Sequence, residues 1–362
     1  MMKVLLVEDS ATVAAYIASI LGSENDIQLL PVAGNAEDGV RLALAEHPDV
    51  VLMDIKLPDH DGLWAIEQIM RDAPCPIVVL SGHLSSRERD ITFESLRAGA
   101  VDVLAKPAGL SATAREVFRL SLVSTVRLMS TAVVVRRSRR AATPAVAGGQ
   151  ERQSSTCLVA DSALVPIRYV LIGASTGGPE LLYRILSSVS APLPVPVVIT
   201  QHTLEGFDDS LAQWLSCTGH DVRVAREGDV PVEGKVMLAP AEKHMKATLA
   251  GFTLVPFRRG EPIASVDAMF ESAAKVWGEQ CLAFLLTGMG KDGAQGMRLL
   301  YERGGLTVAQ SADTCVVASM PESARAAGAT RLVLSPDAIV GLLKQLVASR
   351  ASVVTRDGRR GR

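Results

Sequence analysis

The sequence predicts an α/β protein with two doubly wound parallel sheets in series. Three observations lead there. Short apolar runs alternate with helix-like stretches from residue 1 to about 120, and again from about 164 to 350. That alternation builds parallel sheets covered by helices on both faces. Between the two regions the composition shifts to "RRSRRAATPAVAGGQERQSST", clustered arginines and then Ala, Pro, Gly, Gln and Ser, which reads as a flexible linker. A chain of 362 residues is also long enough for two cores of useful size. The expected division is a first unit over 1–120, a linker over 121–163, a second unit over 164–350 and a basic tail over 351–362.

In order, "KVLLV" reads as a buried strand and "SATVAAYIASIL" as a helix capped by Ser10. "DVVLMD", "PIVVLSG" and "DVLAKP" are further strands, with helices in "AEDGVRLALAEH", "LWAIEQIMRD" and "RERDITFESLRAG". In the second unit the strands are "RYVLIGA", "PVVIT", "KVMLAP", "CLAFLLTG", "LTVAQ" and "RLVLS". Helices fill "PELLYRILSSV", "FDDSLAQWLS", "SVDAMFESAAKVWG", "GAQGMRLLYERG" and "PDAIVGLLKQLVAS".

The totals narrow the function. A net charge of −2 gives no global reason to expect nucleic acid or an acidic membrane surface as partner. The basic run near 136 reads first as a solvated spacer. Cysteines 75, 157, 217, 281 and 315 contain no CxxC, so neither a disulfide framework nor a zinc site is indicated, and a reducing cytoplasm fits. The N-terminal apolar run is too short for a signal peptide. No stretch of about 18 uncharged apolar residues predicts a membrane span.

In open parallel sheets, sites form outside the carboxyl ends of the strands. In the first unit those ends carry Glu8 and Asp9, then Asp54, Ser81 and Lys106. Carboxylates brought together there repel one another unless a cation joins them, and oxygen-only ligation favours Mg²⁺. A metal beside Asp54 would neutralise an incoming phosphoryl group and leave Asp54 as its acceptor. Lys106 would pair with the acyl phosphate, and Ser81 would hydrogen-bond to it.

In the second unit "VLIGASTGGPE" runs a strand into a glycine-rich turn. A phosphate-binding loop would need Lys then Ser or Thr after its last glycine, whereas Pro179 and Glu180 follow Gly178. A dinucleotide fingerprint would need different glycine spacing and an acid ending the next strand, which here ends in Gln201 and His202. The G-x-S-x-G spacing of Gly173, Ser175 and Gly177 instead suits a serine lifted above a sheet. His202 ends the following strand, and Asp292 lies in "GMGKDGA" after a later one. A serine needs a base, and the base needs an orienting carboxylate. Ser175 could alternatively be a helix cap and His202 a turn histidine. His244, expected within a helix, is the rival base; Asp267 and Asp313 are the rival acids. The chain order Ser, His, Asp differs from that of α/β-hydrolases, so that fold is not expected.

"VEDS", "MDIKLPDHDG", "LSG" and "AKP" resemble the signature of two-component receiver domains, which are flavodoxin-like. The resemblance implies phosphorylation of Asp54 by a histidine kinase, with Mg²⁺ held by Glu8, Asp9 and Asp54. Val103 stands where many receivers have an aromatic switch residue. "IGASTGGP", "ITQH", "LAPAEKHM", "SVDAMFESAAK", "LTGMGKDGAQG" and "SADTCVVASMPESA" resemble the chemotaxis protein-glutamate methylesterase family, which joins a receiver to this domain through a linker. The implied nucleophile is Ser175, the base His202 and the orienting acid Asp292, with backbone N–H groups of Thr176 and Met289 at the oxyanion. The implied substrates are methylated chemoreceptors, whose glutamate methyl esters are hydrolysed to methanol and glutamate, with glutamine deamidation a further activity. No cofactor is implied in the esterase unit. Thr203 stands where the family often has Met. Docking of the receiver over the esterase and release on phosphorylation are implied as well. Two other readings remain at this point: a receiver-controlled binding protein with an inactive hydrolase module, and the same fold acting on another protein.

Overall fold

A computed structural model describes residues 1–82, 91, 94–106, 112–132, 159–203, 206–256 and 264–357. The arginine-rich run, most of the expected linker, part of the "RERDITFESLRAG" helix and the last five residues lie outside the described residues.

The first sheet has five parallel strands: β1 (Met2–Val7), β2 (Ile27–Leu29), β3 (Val50–Asp54), β4 (Ile77–Ser81) and β5 (Asp102–Ala105). Their order is β2-β1-β3-β4-β5, so the winding reverses between β1 and β3. Every residue of β3 and β4 is buried, which is why both read as unbroken apolar runs rather than alternating ones. Ser10 caps the helix Ala11–Leu21 as expected, its side chain accepting from the N–H of Val13.

The second sheet has seven parallel strands in the order β14-β13-β12-β6-β7-β9-β8. They are β6 (Tyr169–Ala174), β7 (Val197–Gln201), β8 (Asp221–Val224), β9 (Lys235–Leu238), β12 (Cys281–Leu285), β13 (Leu306–Gln310) and β14 (Leu332–Leu334). Central β6 has β7 on one side and β12 on the other, so the ends of these three strands form one rim at the point where the winding reverses. The helices Gly178–Ser187, Asp208–Ser216, Val266–Val276 and Ala294–Glu302 fall where the sequence places them, and Pro336–Asp357 starts there but continues into the expected basic tail.

Several elements differ from the sequence reading. His244 lies on a strand, not in a helix. It belongs to the antiparallel hairpin of β10 (Lys243–Thr248) and β11 (Gly251–Pro256), which packs against the helix Val266–Val276. β2, β8 and the helix Ser319–Ala326 were not anticipated. The helix Ala112–Met129 runs past residue 120, because Phe118, Leu122, Val126 and Met129 keep a helical period and are buried. That same cluster contains buried Val317 and partly buried Val316 of the second unit, so apolar packing joins the two halves of the chain. A short helix, Asp161–Leu164, lies where a linker was expected, and its Leu164 is fully buried.

Candidate active site

β6 and β7 pair in parallel with Ala174 opposite Gln201. The next residues out along the two strands are Ser175 and His202, so they sit side by side where the ladder ends. The last rung is the N–H of His202 donating to the carbonyl of Ala174 at 3.0 Å. The serine backbone is fixed from two directions. Its N–H donates to the carbonyl of Thr287 at 3.0 Å, and its carbonyl accepts from the N–H of Gly178 at 2.8 Å. Gly177 supplies the left-handed conformation of this turn, at φ 75°. A side chain at Gly288 would collide with the Cβ of Ser175 and the sulfur of Met320, so glycine is needed where the third strand end passes the serine.

Asp292 follows β12 in the loop before the helix Ala294–Glu302. Its Oδ2 lies 2.7 Å from Nε2 of His202. The same carboxylate accepts from the hydroxyl of Ser265 at 2.9 Å and from the backbone N–H groups of Val266 at 2.7 Å and Asp267 at 2.9 Å. It therefore sits on the N-terminus of the helix Val266–Val276, where the dipole favours an anion. Burial pushes this carboxyl up, but the hydrogen bond and charge of His202 and the helix N–H groups outweigh it and hold Asp292 well below the usual range. Neighbouring Asp267 moves the other way. Burial raises it, and the Asp292 charge adds to the rise, although the N–H of Gly296 donates to it at 2.7 Å.

With Asp292 ionised, the imidazole nitrogen facing it carries the hydrogen, and Nδ1 is left as the acceptor. The Ser175 hydroxyl makes no hydrogen bond to His202 among the described residues; catalytic hydrogen bonds often tighten only when substrate is bound. The backbone N–H groups of Thr176 and Met289 carry no hydrogen bond among the described residues either, and the carbonyl of Thr176 accepts from the Thr287 hydroxyl at 3.0 Å. His244 is turned to a different task. Its Nδ1 accepts from the N–H of Ser265 at 3.1 Å, the residue whose hydroxyl donates to Asp292.

Three residues that sequence reasoning passed over also build this rim. Thr287 holds the serine N–H, as above, and its own N–H donates to Oε1 of Gln310 at 2.8 Å. Nε2 of Gln201 donates to the carbonyls of both Ser175 and His202 at 2.8 Å. They work on main-chain groups, so no side-chain motif announces them.

The first unit reaches this rim. The Thr176 hydroxyl donates to Oδ2 of Asp102, at the start of β5, at 2.8 Å. Burial pushes the Asp102 carboxyl up, against the N–H of Val103 and the Thr176 hydroxyl. Met289 lines a groove with Leu120, Val123 and Leu128 of the helix Ala112–Met129.

In the first unit, oxygens of Glu8, Asp9 and Asp54 lie within 4.8 Å of one another. Nζ of Lys106 bridges Glu8 at 2.7 Å and Asp54 at 3.0 Å. Burial raises the Glu8 carboxyl against the hydrogen bond from Lys106. Ser81 is buried at the end of β4, and its carbonyl accepts from the N–H of Lys106 at 2.6 Å. One ammonium among three carboxylates leaves two negative charges uncompensated, and every donor is a hard oxygen. That set suits a divalent cation of the Mg²⁺ type.

The CheB methylesterase family model matches residues 170–343, and the response regulator receiver domain model matches residues 4–117. A protein-glutamate methylesterase/protein-glutamine glutaminase of Nitrosospira multiformis is 38% identical, over 97% of this chain and 98% of the relative. A protein of that description from Geobacter metallireducens is 37% identical, over 97% of this chain and 100% of the relative. The crystal structure of the Thermotoga maritima CheB methylesterase catalytic domain is 34% identical with a TM-score of 0.47, covering 50% of this chain and 99% of that one. With receiver and methylesterase matches in sequence along one chain, and relatives aligned over nearly its full length, this protein belongs to the receiver-linked protein-glutamate methylesterase/protein-glutamine glutaminase family.

Proposed function

We propose that this chain hydrolyses glutamate γ-methyl esters on methylated chemoreceptors, under control of phosphorylation at Asp54 by a histidine kinase. The observation that supports this most is the His202–Asp292 pair at 2.7 Å on the strand end beside Ser175. In the proposed reaction Oγ of Ser175 attacks the ester carbonyl carbon while Nδ1 of His202 takes its proton. Asp292 holds the imidazole in the required tautomer and stabilises the imidazolium. The oxyanion is held by the backbone N–H groups of Thr176 and Met289; one such donor contributes roughly 10²–10³ in rate in other hydrolases. The C–O bond to the methoxy group then breaks, and His202 returns the proton to give methanol. Water attacks the glutamyl ester of Ser175 with His202 as base, releasing a glutamate carboxylate. The same steps with ammonia as leaving group would deamidate glutamine, an activity that the names of the relatives carry.

Control follows from the receiver. Glu8, Asp9 and Asp54 would hold Mg²⁺, which when bound neutralises phosphoryl oxygens. Asp54 accepts the phosphoryl group, Lys106 pairs with it and the Ser81 hydroxyl hydrogen-bonds to it. The contact of Asp102 with Thr176, and a groove lined by Met289 together with the helix Ala112–Met129, put receiver residues near the proposed oxyanion donors, which supports a closed resting form. Phosphorylation would shift the balance to an open one. Moving it from 1% to 99% open requires about 5.5 kcal/mol of preference. We place the enzyme in the cytoplasm; among the described residues no helix is long and apolar enough to cross a membrane. Methanol release from methylated receptor membranes tests the assignment. Wild type should release it and Ser175→Ala should not; undiminished release by Ser175→Ala would remove the nucleophile.

A further inference from the structure

We propose that Gln201 is a positioning residue that sets the spacing between Ser175 and His202. The proposal rests on the reading of those two as nucleophile and base. The ladder between β6 and β7 stops at the His202 N–H to Ala174 carbonyl rung. Beyond it the two chains part, one into the turn at Gly177 and the other into the loop after His202. The next carbonyl on each chain belongs to a reacting residue. Gln201 supplies the missing rung from its side chain. Its one amide nitrogen donates both hydrogens, one to the Ser175 carbonyl and one to the His202 carbonyl, each at 2.8 Å. A single planar group thus ties the backbones of nucleophile and base together just past the sheet.

The surroundings are built around this amide. Gln201 is buried at 2% exposure, and a side chain at Gly178 would run into its Oε1 and into Ala174. The opposite amide orientation would set Oε1 against two carbonyl oxygens, so the donor assignment follows from chemistry. Oε1 itself is buried with no hydrogen-bond partner among the described residues. An unsatisfied buried oxygen is unfavourable, and a stability role alone would be served better by a side chain without it. Retaining it makes sense where both donors are wanted on two particular carbonyls. The carbonyl of Ser175 also takes the Gly178 N–H, so Gln201 adds the link to the base rather than the turn itself.

The test uses the full chain with a small acyl phosphate present, and a fluorophosphonate that labels activated serines. Labelling at Ser175 is followed by peptide mass and is normalised to folded protein by thermal unfolding. Gln201→Met keeps the volume and removes both donors. Its labelling rate should fall about 10- to 100-fold, the scale expected for misplacing reacting groups by up to an ångström, and ester kcat should fall with KM little changed. If Gln201→Met does not fold, Gln201→Glu keeps the length of the side chain without the paired donors, and the same loss is expected. Labelling per folded molecule within twofold of wild type, whatever the melting temperature, would overturn the proposal. A wild-type enzyme that takes no label at Ser175 would instead overturn the nucleophile reading, and this proposal with it.

Discussion

At the scale of single residues, the geometry turns on one carboxylate. Asp292 is buried yet held ionised, because His202, Ser265 and two helix N–H groups all donate to it. Asp292→Asn keeps the shape but offers an amide where an anion fixed the tautomer. Ester kcat should drop by about 10³–10⁴, by analogy with a serine protease changed in the same way; a drop of less than tenfold in the methanol assay would show that Asp292 does not orient the base. Asp267 gives a pH prediction with the opposite sign. Its folded-state carboxyl is raised, mainly by burial. Its favourable contribution is therefore present below its unfolded value, about pH 4, and is lost as the pH rises through the higher folded value. Asp267→Asn can still accept from Gly296, so it should melt higher than wild type at pH 8, with the difference vanishing near pH 4. Equal melting curves at pH 8 would contradict the assignment. Ser175, His202 and Asp292 stand out in the sequence as proposed site residues because each is a reactive type at or just beyond a strand end. Gln201 and Thr287 were not, because glutamine and threonine at buried strand ends look like ordinary polar residues until the backbone groups they serve are known.

At the scale of elements, the site is a rim plus one helix. The N-terminus of the helix Val266–Val276 binds Asp292, and Ser265 serves both, capping the helix at Ala268 and donating to the carboxylate. Ser265→Ala should destabilise the protein by about 0.5–2 kcal/mol, the usual range for a lost cap, and slow ester hydrolysis in the same variant. A melting shift with an unchanged rate would confine Ser265 to capping. The central parallel strands β1, β3, β4, β6, β7 and β12 are legible because burial makes each a nearly continuous apolar run, whereas the short, half-exposed edge strands β2 and β8 are not. The hairpin β10–β11 was missed because "KHMKAT" mixes charged and apolar residues shortly after β9, which ends at Leu238. His244 was misplaced with it. The helix Ala112–Met129 carries a periodic apolar stripe after the turn residues Pro107, Gly109 and Ser111, yet the sequence reading assigned no helix there and placed residues 121 onward in a linker.

At the scale of the whole molecule, two α/β units that fold on separate sheets are coupled through a few side chains. Asp102 accepts from the hydroxyl next to the proposed nucleophile, and Val316 and Val317 pack into the core of the receiver helix. A net intramolecular hydrogen bond contributes about 0.5–1.5 kcal/mol. Asp102→Ala should therefore raise resting esterase activity on the order of tenfold and shrink the further rise caused by phosphorylation. Unchanged resting activity would remove this contact from the control mechanism. The resemblance implies docking of the receiver, but nothing in the sequence says which residues would carry it. Asp102 and Thr176 are 74 positions apart, and nothing local marks either as an interface residue. The measurement that bears most directly on the account is methanol release from methylated receptor membranes, with and without a small acyl phosphate, in wild type and Asp54→Asn. The account predicts release by both proteins at rest, a rise with the phosphodonor in wild type alone, and no rise in the variant. No methanol from wild type under either condition, or an equal rise in Asp54→Asn, would contradict it.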